Sequence, residues 1–430
     1  MLATALLLLV ALLAIGIPVA GVLGMLGFAL DSWYSAMPLT RALGEVAWSS
    51  SNGFLLMSIP LFVLLGEILL RSGIADRMYD AMSNWLAWLP GGLMHSNIGS
   101  CALFAATCGS SAATAATVAT VALPQMRKHG YSEKLFLGSL ASGGTLGILI
   151  PPSINMIIYG ALTDTSVPKL YLAGIVPGVM LALLFMTVIF IICLIKPSYG
   201  GTRLYPKWSE RLATLKDFAP PLVIFLVVIL SIYTGAATAT ESAALGVLAS
   251  LALAAIYKRV NLRFFARVFE GTMKTTAMIL LIIMAAVFLN FIMGGIALTG
   301  KINAFVTSLQ LSKYELLLAI VIFYVLLGCF METLSIMVTT LPVVTPLMVQ
   351  AGFDPVWFGI VVIILIEMAL ITPPVGVNLY VIQGVRNGGK VADVIIGSLP
   401  FVAMMFLMIG LLTLFPNLAL YLPEIGMSNK

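Results

Sequence analysis

Two Pro-Pro pairs set inside apolar stretches are the residues of this chain best placed to create a binding site. They lie in LGILIPPSINMIIYG (146–160) and ALITPPVGVNLYVIQG (369–384). Proline lacks a backbone N–H and drives the residue before it out of helical geometry, so each pair frees backbone groups in mid-helix. Small or polar residues follow both breaks: Ser153 and Asn155 in the first, Gly376 and Asn378 in the second. Two further apolar stretches, 95–126 and 314–349, are interrupted midway by CGSSAATAAT and METLSIMVTT. Carbonyl, hydroxyl and amide oxygens gathered at such places form a hard-oxygen cage suited to a sodium ion without any full charge. The N-termini of the half-helices offer amide donors and a positive dipole end to an anionic group. A packing kink satisfied by a neighbouring helix explains one such break equally well; two related copies, each with its own polar interruption, favour binding.

The candidate cation ligands of the first cage are Gly109, Ser110, Thr114, Pro151, Ser153 and Asn155, with Ser111 beside them. Those of the second are Glu332, Thr333, Thr372, Gly376 and Asn378, with Ser335 beside them. Ser110, Ser111, Pro152, Ser335, Thr339 and Pro374 are the candidate substrate contacts. Acids at membrane depth are costly when ionised and tend to be functional. Glu332, at the second interruption, is expected to coordinate the ion or stabilise the turn. Glu367, six residues before Pro373, reads either as a neutral hydrogen-bonding acid or as a group near an external cavity. Glu241, just after TGAATAT, reads as a helix cap, and Glu67 with Arg71 as a local ion pair.

These residues need elements to position them, and composition says what kind. The 430 residues are 61% hydrophobic and only 9% charged, with mean hydropathy +1.11, far too little charge for a soluble surface. Apolar runs of roughly 20 residues recur along the chain, each long enough to cross ~30 Å of hydrocarbon. Spans are predicted near 3–30, 52–71, 134–162, 171–195, 218–234, 241–257, 276–298, 356–385 and 392–416. The interrupted stretches 95–126 and 314–349 are predicted to be re-entrant hairpins. Segments 35–50, 73–90, 258–274 and 299–313 read as interfacial arms. The opening residues lack a basic n-region and stay apolar to about Leu30, so they read as a first span and not as a cleaved leader. Loops 127–134, 196–216, 258–274 and 386–390 are basic, whereas 163–168, 234–240 and 349–355 carry no Lys or Arg. With two hairpins assumed, every basic loop falls on the cytoplasmic side and every other one outside.

A repeat runs through this arrangement. Sliding 124–152 by 222 positions onto 346–374 matches Pro124 with Pro346, Gly130 with Gly352, Phe136 with Phe358 and the two Pro-Pro pairs. The enclosed loop is basic in one copy only, so the copies face opposite ways. The predicted organisation is a first inverted repeat over 1–196, a linker and extra span over 197–238, and a second repeat over 239–430. Inverted repeats with interrupted helices are the architecture of secondary transporters.

Other functions fit poorly. The chain has two histidines, His95 and His129, and no H-E-x-x-H or G-x-S-x-G, so an enzyme is not expected. His95 is expected to be a structural hydrogen-bonder. The four cysteines, Cys101, Cys108, Cys193 and Cys329, show no C-x-x-C spacing and imply neither disulfide nor metal centre. The net charge of +5 is carried by the basic loops and points to anionic membrane lipid, with no nucleic acid implied. A channel is disfavoured by two occluding interruptions.

The motifs CGSSAAT (108–114), SGGTLGILIPPSI (142–154), TATESAALG (238–246), ETLSIMVTTLPVVTPL (332–347) and ITPPVGVN (371–378) occur in this order along the chain. In them the sequence resembles the large membrane subunit of the tripartite ATP-independent periplasmic (TRAP) transporters over essentially its whole length. Two positions depart from the family pattern: Cys108 stands where the first serine is usual, and Glu332 where an aspartate is usual. The resemblance implies an all-α polytopic membrane protein of the bacterial inner (cytoplasmic) membrane, an elevator-type transporter with two re-entrant hairpins and two broken helices. It implies coupling to sodium ions, a small four-span membrane subunit and a soluble periplasmic binding protein as partners, and a small organic acid as substrate, sialic acid or a C4-dicarboxylate. On that picture 95–165 and 314–385 move, while 3–71, 171–195 and 218–298 are mainly scaffold and arms. The alternative is a stand-alone sodium- or proton-coupled dicarboxylate symporter of similar architecture.

Overall fold

The computed structural model describes residues 1–427, apart from the side chains of Leu2, Ala14, Ala106, Thr107, Cys108 and Met427. All secondary structure in these residues is helical. The chain opens with α1 (Leu2–Ala14) and α2 (Val19–Tyr34), followed by α3 (Leu43–Ser51), α4 (Ser58–Arg71) and α5 (Ile74–Leu86). The expected first span over 3–30 is thus two helices, parted at Gly16 and Pro18, where a positive-φ glycine and a missing donor stop the first.

The first interrupted stretch is the pair α6 (Leu93–Cys108) and α7 (Ser111–His129). Then come α8 (Glu133–Leu149) and α9 (Ile154–Thr163), bent by 45° at the first Pro-Pro pair, and the long α10 (Val167–Ile195). The middle of the chain holds α11 (Trp208–Tyr233), α12 (Ala239–Ile256), α13 (Leu262–Gly295) and α14 (Leu298–Ser308). Helix α13 runs 34 residues without a break, so the expected arm over 258–274 is the first part of this helix and not a separate segment. Its start is fixed by Asn261, whose side chain accepts from the Phe264 N–H at 2.8 Å.

The second half repeats the pattern. Helices α15 (Lys313–Gly328) and α16 (Thr333–Gln350) form the second interrupted pair, α17 (Pro355–Ala369) and α18 (Val377–Arg386) the second broken helix, and α19 (Val391–Leu414) follows. A last helix, α20 (Asn417–Met427), had no counterpart in the sequence reading. Among the described residues seven helices are long and apolar enough to cross a membrane, or eight if α8 and α9 count as one. Helix α16 is one of the seven, so its length does not separate a half-span from a full crossing.

Packing sorts the helices into two groups. Helices α1–α4 and α11–α13 form one, with α2 and α4 laid against α13 and α4 against α12. The other gathers α6–α10 and α15–α20. Helix α10, expected with the scaffold, packs on α8, α9, α17, α19 and α20 and only thinly on α11. The cause is small residues facing the broken helix: a side chain on Gly174 would enter Met156 and the Leu149 carbonyl, and one on Gly178 would enter Ile150. Helix α5 bridges the groups through a buried relay: Tyr79 donates to Asn97 at 3.0 Å, and Asn97 donates to Ser139 at 2.9 Å.

The basic segments gather at one end. Arg386 pairs there with Glu133 at 2.7 Å and Asp393 at 3.4 Å, Arg77 pairs with Asp217 at 3.7 Å, and Thr202 N–H donates to the His129 carbonyl at 2.9 Å.

Helices α8 and α19 touch backbone to backbone. A Cβ on Gly397 would collide with the Lys134 carbonyl, and one on Gly138 with the Gly397 carbonyl. Gly397→Ala is therefore expected to cost about 3 kcal/mol, because the obstacle is main chain. Gly410→Ala on the same helix meets open space and is expected to be neutral or slightly stabilising. The thermal midpoints of the two purified variants separate these outcomes.

At the basic end, burial together with Asp76 and Asp217 holds the Asp80 carboxyl above its ordinary range. The folded chain then binds this proton more tightly than the unfolded one, so the associated stability is lost as pH rises through the raised value. Asp80→Asn is expected to raise the thermal midpoint at about pH 7.5 and to leave it unchanged at about pH 4.

Candidate functional site

Both Pro-Pro peptide bonds, Pro151-Pro152 and Pro373-Pro374, are cis. The first break closes against the turn of the first hairpin. Gly109, at φ 61°, lets that turn approach so closely that a Cβ would stand 3.1 Å from the Pro152 carbonyl oxygen and 3.9 Å from the Ile154 nitrogen. A Cβ on Gly147, just before the prolines, would meet the Ser110 carbonyl at 3.1 Å. Of the first candidate cage, Gly109 and Ser110 are thus brought onto the break formed by Pro151 and Pro152. Ser153 caps α9, accepting from the Met156 N–H at 3.4 Å. The Thr114 hydroxyl and the Asn155 amide nitrogen are buried without partners. Cys108, singled out in the first motif, has its side chain outside the described residues.

The second hairpin meets its break in the matching way. Gly328, at the end of α15, packs so tightly on Ala369 that any side chain there would collide. The repeat offset of 222 carries Ala369 onto Gly147, so both hairpins rest on a small residue just before the prolines. Glu332 caps α16 and accepts from the Ser335 hydroxyl at 3.0 Å. Thr339 donates to the Ser335 carbonyl and Thr372 to the Met368 carbonyl, each at 2.7 Å. Gly376 at φ 36° turns the chain into α18, and Thr333 is buried in the first turn of α16. Pro374 is exposed, its carbonyl accepting from Tyr380 at 3.0 Å, on a shallow apolar surface shared with Val377 and Val381.

Asn378 belongs elsewhere. Its amide nitrogen donates to the Ser111 hydroxyl at 2.8 Å and the Ala141 carbonyl at 3.1 Å, so it reaches the first hairpin and not Glu332. Its oxygen is buried and unpaired. The sequence reading paired each broken helix with its own hairpin, whereas α18 lies along α7 and α9 lies along α16. The repeats exchange their second half-helices, which spacing within one copy does not reveal.

Three helix N-termini consequently meet at the first hairpin turn: α7 at Ser110–Ser111, α9 at Ile154 and α18 at Asn378. First-turn amides have no intrahelical acceptor and carry a partial positive charge, so the meeting point favours an anion. Neutral buried oxygens around it suit an alkali cation. No group of three or more His, Cys, Asp or Glu able to hold a metal occurs among the described residues.

The remaining candidates are structural. His95 Nε2 donates to the Pro90 carbonyl at 2.8 Å, Glu241 closes a capping box with Thr238, and Glu67 pairs with Arg71.

Helical, multi-pass and built on two broken helices, the chain has the form of a membrane transport protein. Residues 6–418 match the family described as "Tripartite ATP-independent periplasmic transporter, DctM component", and the chain belongs to that family. It is 35% identical to a C4-dicarboxylate TRAP transporter large permease protein of Pseudomonas aeruginosa, over 95% of this chain and 94% of that one. It is 29% identical to a sialic acid TRAP transporter large permease protein of Vibrio cholerae, over 87% of each. The Alcanivorax borkumensis YdaH transporter shares the fold, with TM-score 0.61 over 99% of this chain and 98% of that one at 17% identity. The chain is a transporter permease subunit and not an enzyme.

Asn378→Asp places a carboxylate oxygen where an N–H now faces the Ala141 carbonyl. It is expected to lower uptake at least about tenfold while Asn378→Gln retains part of it, since a buried unpaired charge costs several kcal/mol. Uptake assays on the two variants at matched expression check this.

Proposed function

We propose that this chain is the large permease subunit of a TRAP transporter in the bacterial inner membrane, importing a small organic acid together with sodium ions. The observation that carries the reading is the convergence of the α7, α9 and α18 N-termini on a turn lined by neutral oxygens. A carboxylate is held there by amide donors and dipole ends, without an arginine clamp. Gly109, Ser110, Thr114, Pro151, Ser153 and Asn155 would ligate one sodium ion, and Glu332, Thr333, Thr372 and Gly376 a second. Asn378 moves from the second set to the first. Ser110, Ser111 and Pro152 face the substrate, with Ser335, Thr339 and Pro374 on the opposite hairpin's side.

A C4-dicarboxylate is the substrate we favour over sialic acid, on the stronger similarity to a C4-dicarboxylate permease along the whole chain. A small four-span membrane subunit and a periplasmic binding protein complete the system. The hairpins are re-entrant, and α6–α10 with α15–α19 slide as one unit against α2, α4 and α11–α13 in an elevator movement. The tight packing of α10 and α19 on the broken helices supports placing both in the sliding unit.

Uptake of radiolabelled succinate and sialic acid into proteoliposomes holding the three components tests the proposal. Succinate uptake that requires both an inward sodium gradient and the binding protein is the expected result. Uptake persisting without the binding protein would replace this reading with a stand-alone symporter, and indifference to sodium would remove the coupling ion.

A further inference from the structure

We propose that Glu367 is a proton-binding site, separate from both oxygen cages, and that it crosses the membrane as the neutral acid. The proton site stands on geometry alone; its being carried across rests on the transport reading above. Glu367 sits within α17 at 0% exposure, and neither carboxyl oxygen has a hydrogen-bond partner. The polar surroundings that act on it are the backbone of Leu149 and Ile148, the last turn of α8 before the first Pro-Pro break.

No charge answers it. Helices α8, α9, α10, α15, α16, α19 and α20 pack on α17. Glu133 and Lys134 on α8 pair at the far basic end with Arg386 and Asp393, the last on α19. Tyr159 on α9 donates to the Pro355 carbonyl, and Tyr171 on α10 is directed at the Ser153 carbonyl. Lys313 and Glu315 at the start of α15 bond to Gly352 and Ser312, and Tyr324 further along bonds to Thr340. Glu332 at the cap of α16 takes the Ser335 hydroxyl. Lys169 on α10 lines an open cavity at the end of the molecule beside Asp354. Cys193 on α10 and Tyr314 on α15, with Tyr421 and Glu424 on α20, complete the titratable groups of these helices. None of these side chains hydrogen-bonds to either Glu367 carboxyl oxygen. An ionised carboxylate with no cation and no side-chain donor beside it is costly in such a place. Binding a proton removes that cost.

The repeat supplies a control within the chain. The offset of 222 carries Glu367 onto Thr145, which is equally buried and satisfies itself by donating to the Ser142 carbonyl at 2.7 Å. A small self-satisfied hydroxyl therefore serves this position in one copy. The packing does not demand an acid in the other, and what the acid adds is a site for a proton.

Infrared spectra of the purified chain, wild type against Glu367→Gln, test the site directly. The band of a protonated carboxylic acid is expected in the wild type near neutral pH and missing from the variant. Its absence from the wild type would overturn the proposal. Reconstituted with its partners, Glu367→Gln is expected to keep uptake within about threefold, as a neutral group of the same size, whereas wild-type uptake is expected to decline at alkaline pH and the variant's is not. A folded Glu367→Gln with the band gone but uptake reduced more than about tenfold would show that the proton must be released, overturning carriage as the neutral acid. Glu367→Thr, which copies Thr145, serves should the amide fail to fold. Absence of wild-type uptake would remove the transport reading while leaving the infrared result intact.

Discussion

Hydrocarbon offers nothing to a backbone group that has lost its helical partner, and this constraint shapes the whole arrangement. Each Pro-Pro pair interrupts a helix deep in the chain, and each interruption is closed by material brought to it. Leu370 accepts from the Asn378 N–H at 3.0 Å across the second break, and the Pro374 carbonyl takes the Tyr380 hydroxyl. The first break receives the hairpin turn itself, which fits only because Gly109 and Gly147 present no side chains. The same closure brings the N-terminal ends of α7, α9 and α18 to one place. Structural closure and the proposed binding region thus have the same origin.

The exchange of half-helices ties the two repeats into a single body. With α18 along α7 and α9 along α16, the binding region belongs to neither copy alone. The Gly138–Gly397 crossing and the Arg386 ion pairs hold the same body at its basic end. Against it lie α2, α4, α12 and α13, which reach it through α4 on α6, α13 on α16 and the arm α5, the last by way of Tyr79, Asn97 and Ser139.

Much of this was legible in the sequence, for physical reasons. Apolar length marks spans, proline marks breaks, and glycine beside serine marks turns, so the bounds of the two interrupted helix pairs and of both broken helices were located to within a few residues. The capping box at Glu241 and the pair Glu67–Arg71 are local and follow from spacing. What escaped were features that depend on partners distant in sequence. Asn378 was grouped with Glu332 because both sit in the second repeat, while its actual partner, Ser111, lies 267 residues away. Helix α10 read as scaffold because its composition is that of any lipid-facing span, and only the contacts of Gly174 and Gly178 reveal its neighbours. The division of 3–30 into two helices was signalled by Gly16 and Pro18 but masked by the apolar run around them.

The exchanged half-helices bear on how such a chain could have arisen. A single copy standing alone would leave its second half-helix without the hairpin it lies against, and its hairpin without that half-helix. It could be completed only by a second molecule inserted upside down, each lending the other its half-helix about an axis in the membrane plane. Duplication would then have joined two chains that already depended on each other. On the expected inverted arrangement, the odd span α11 would be the piece that lets one polypeptide present both orientations at once.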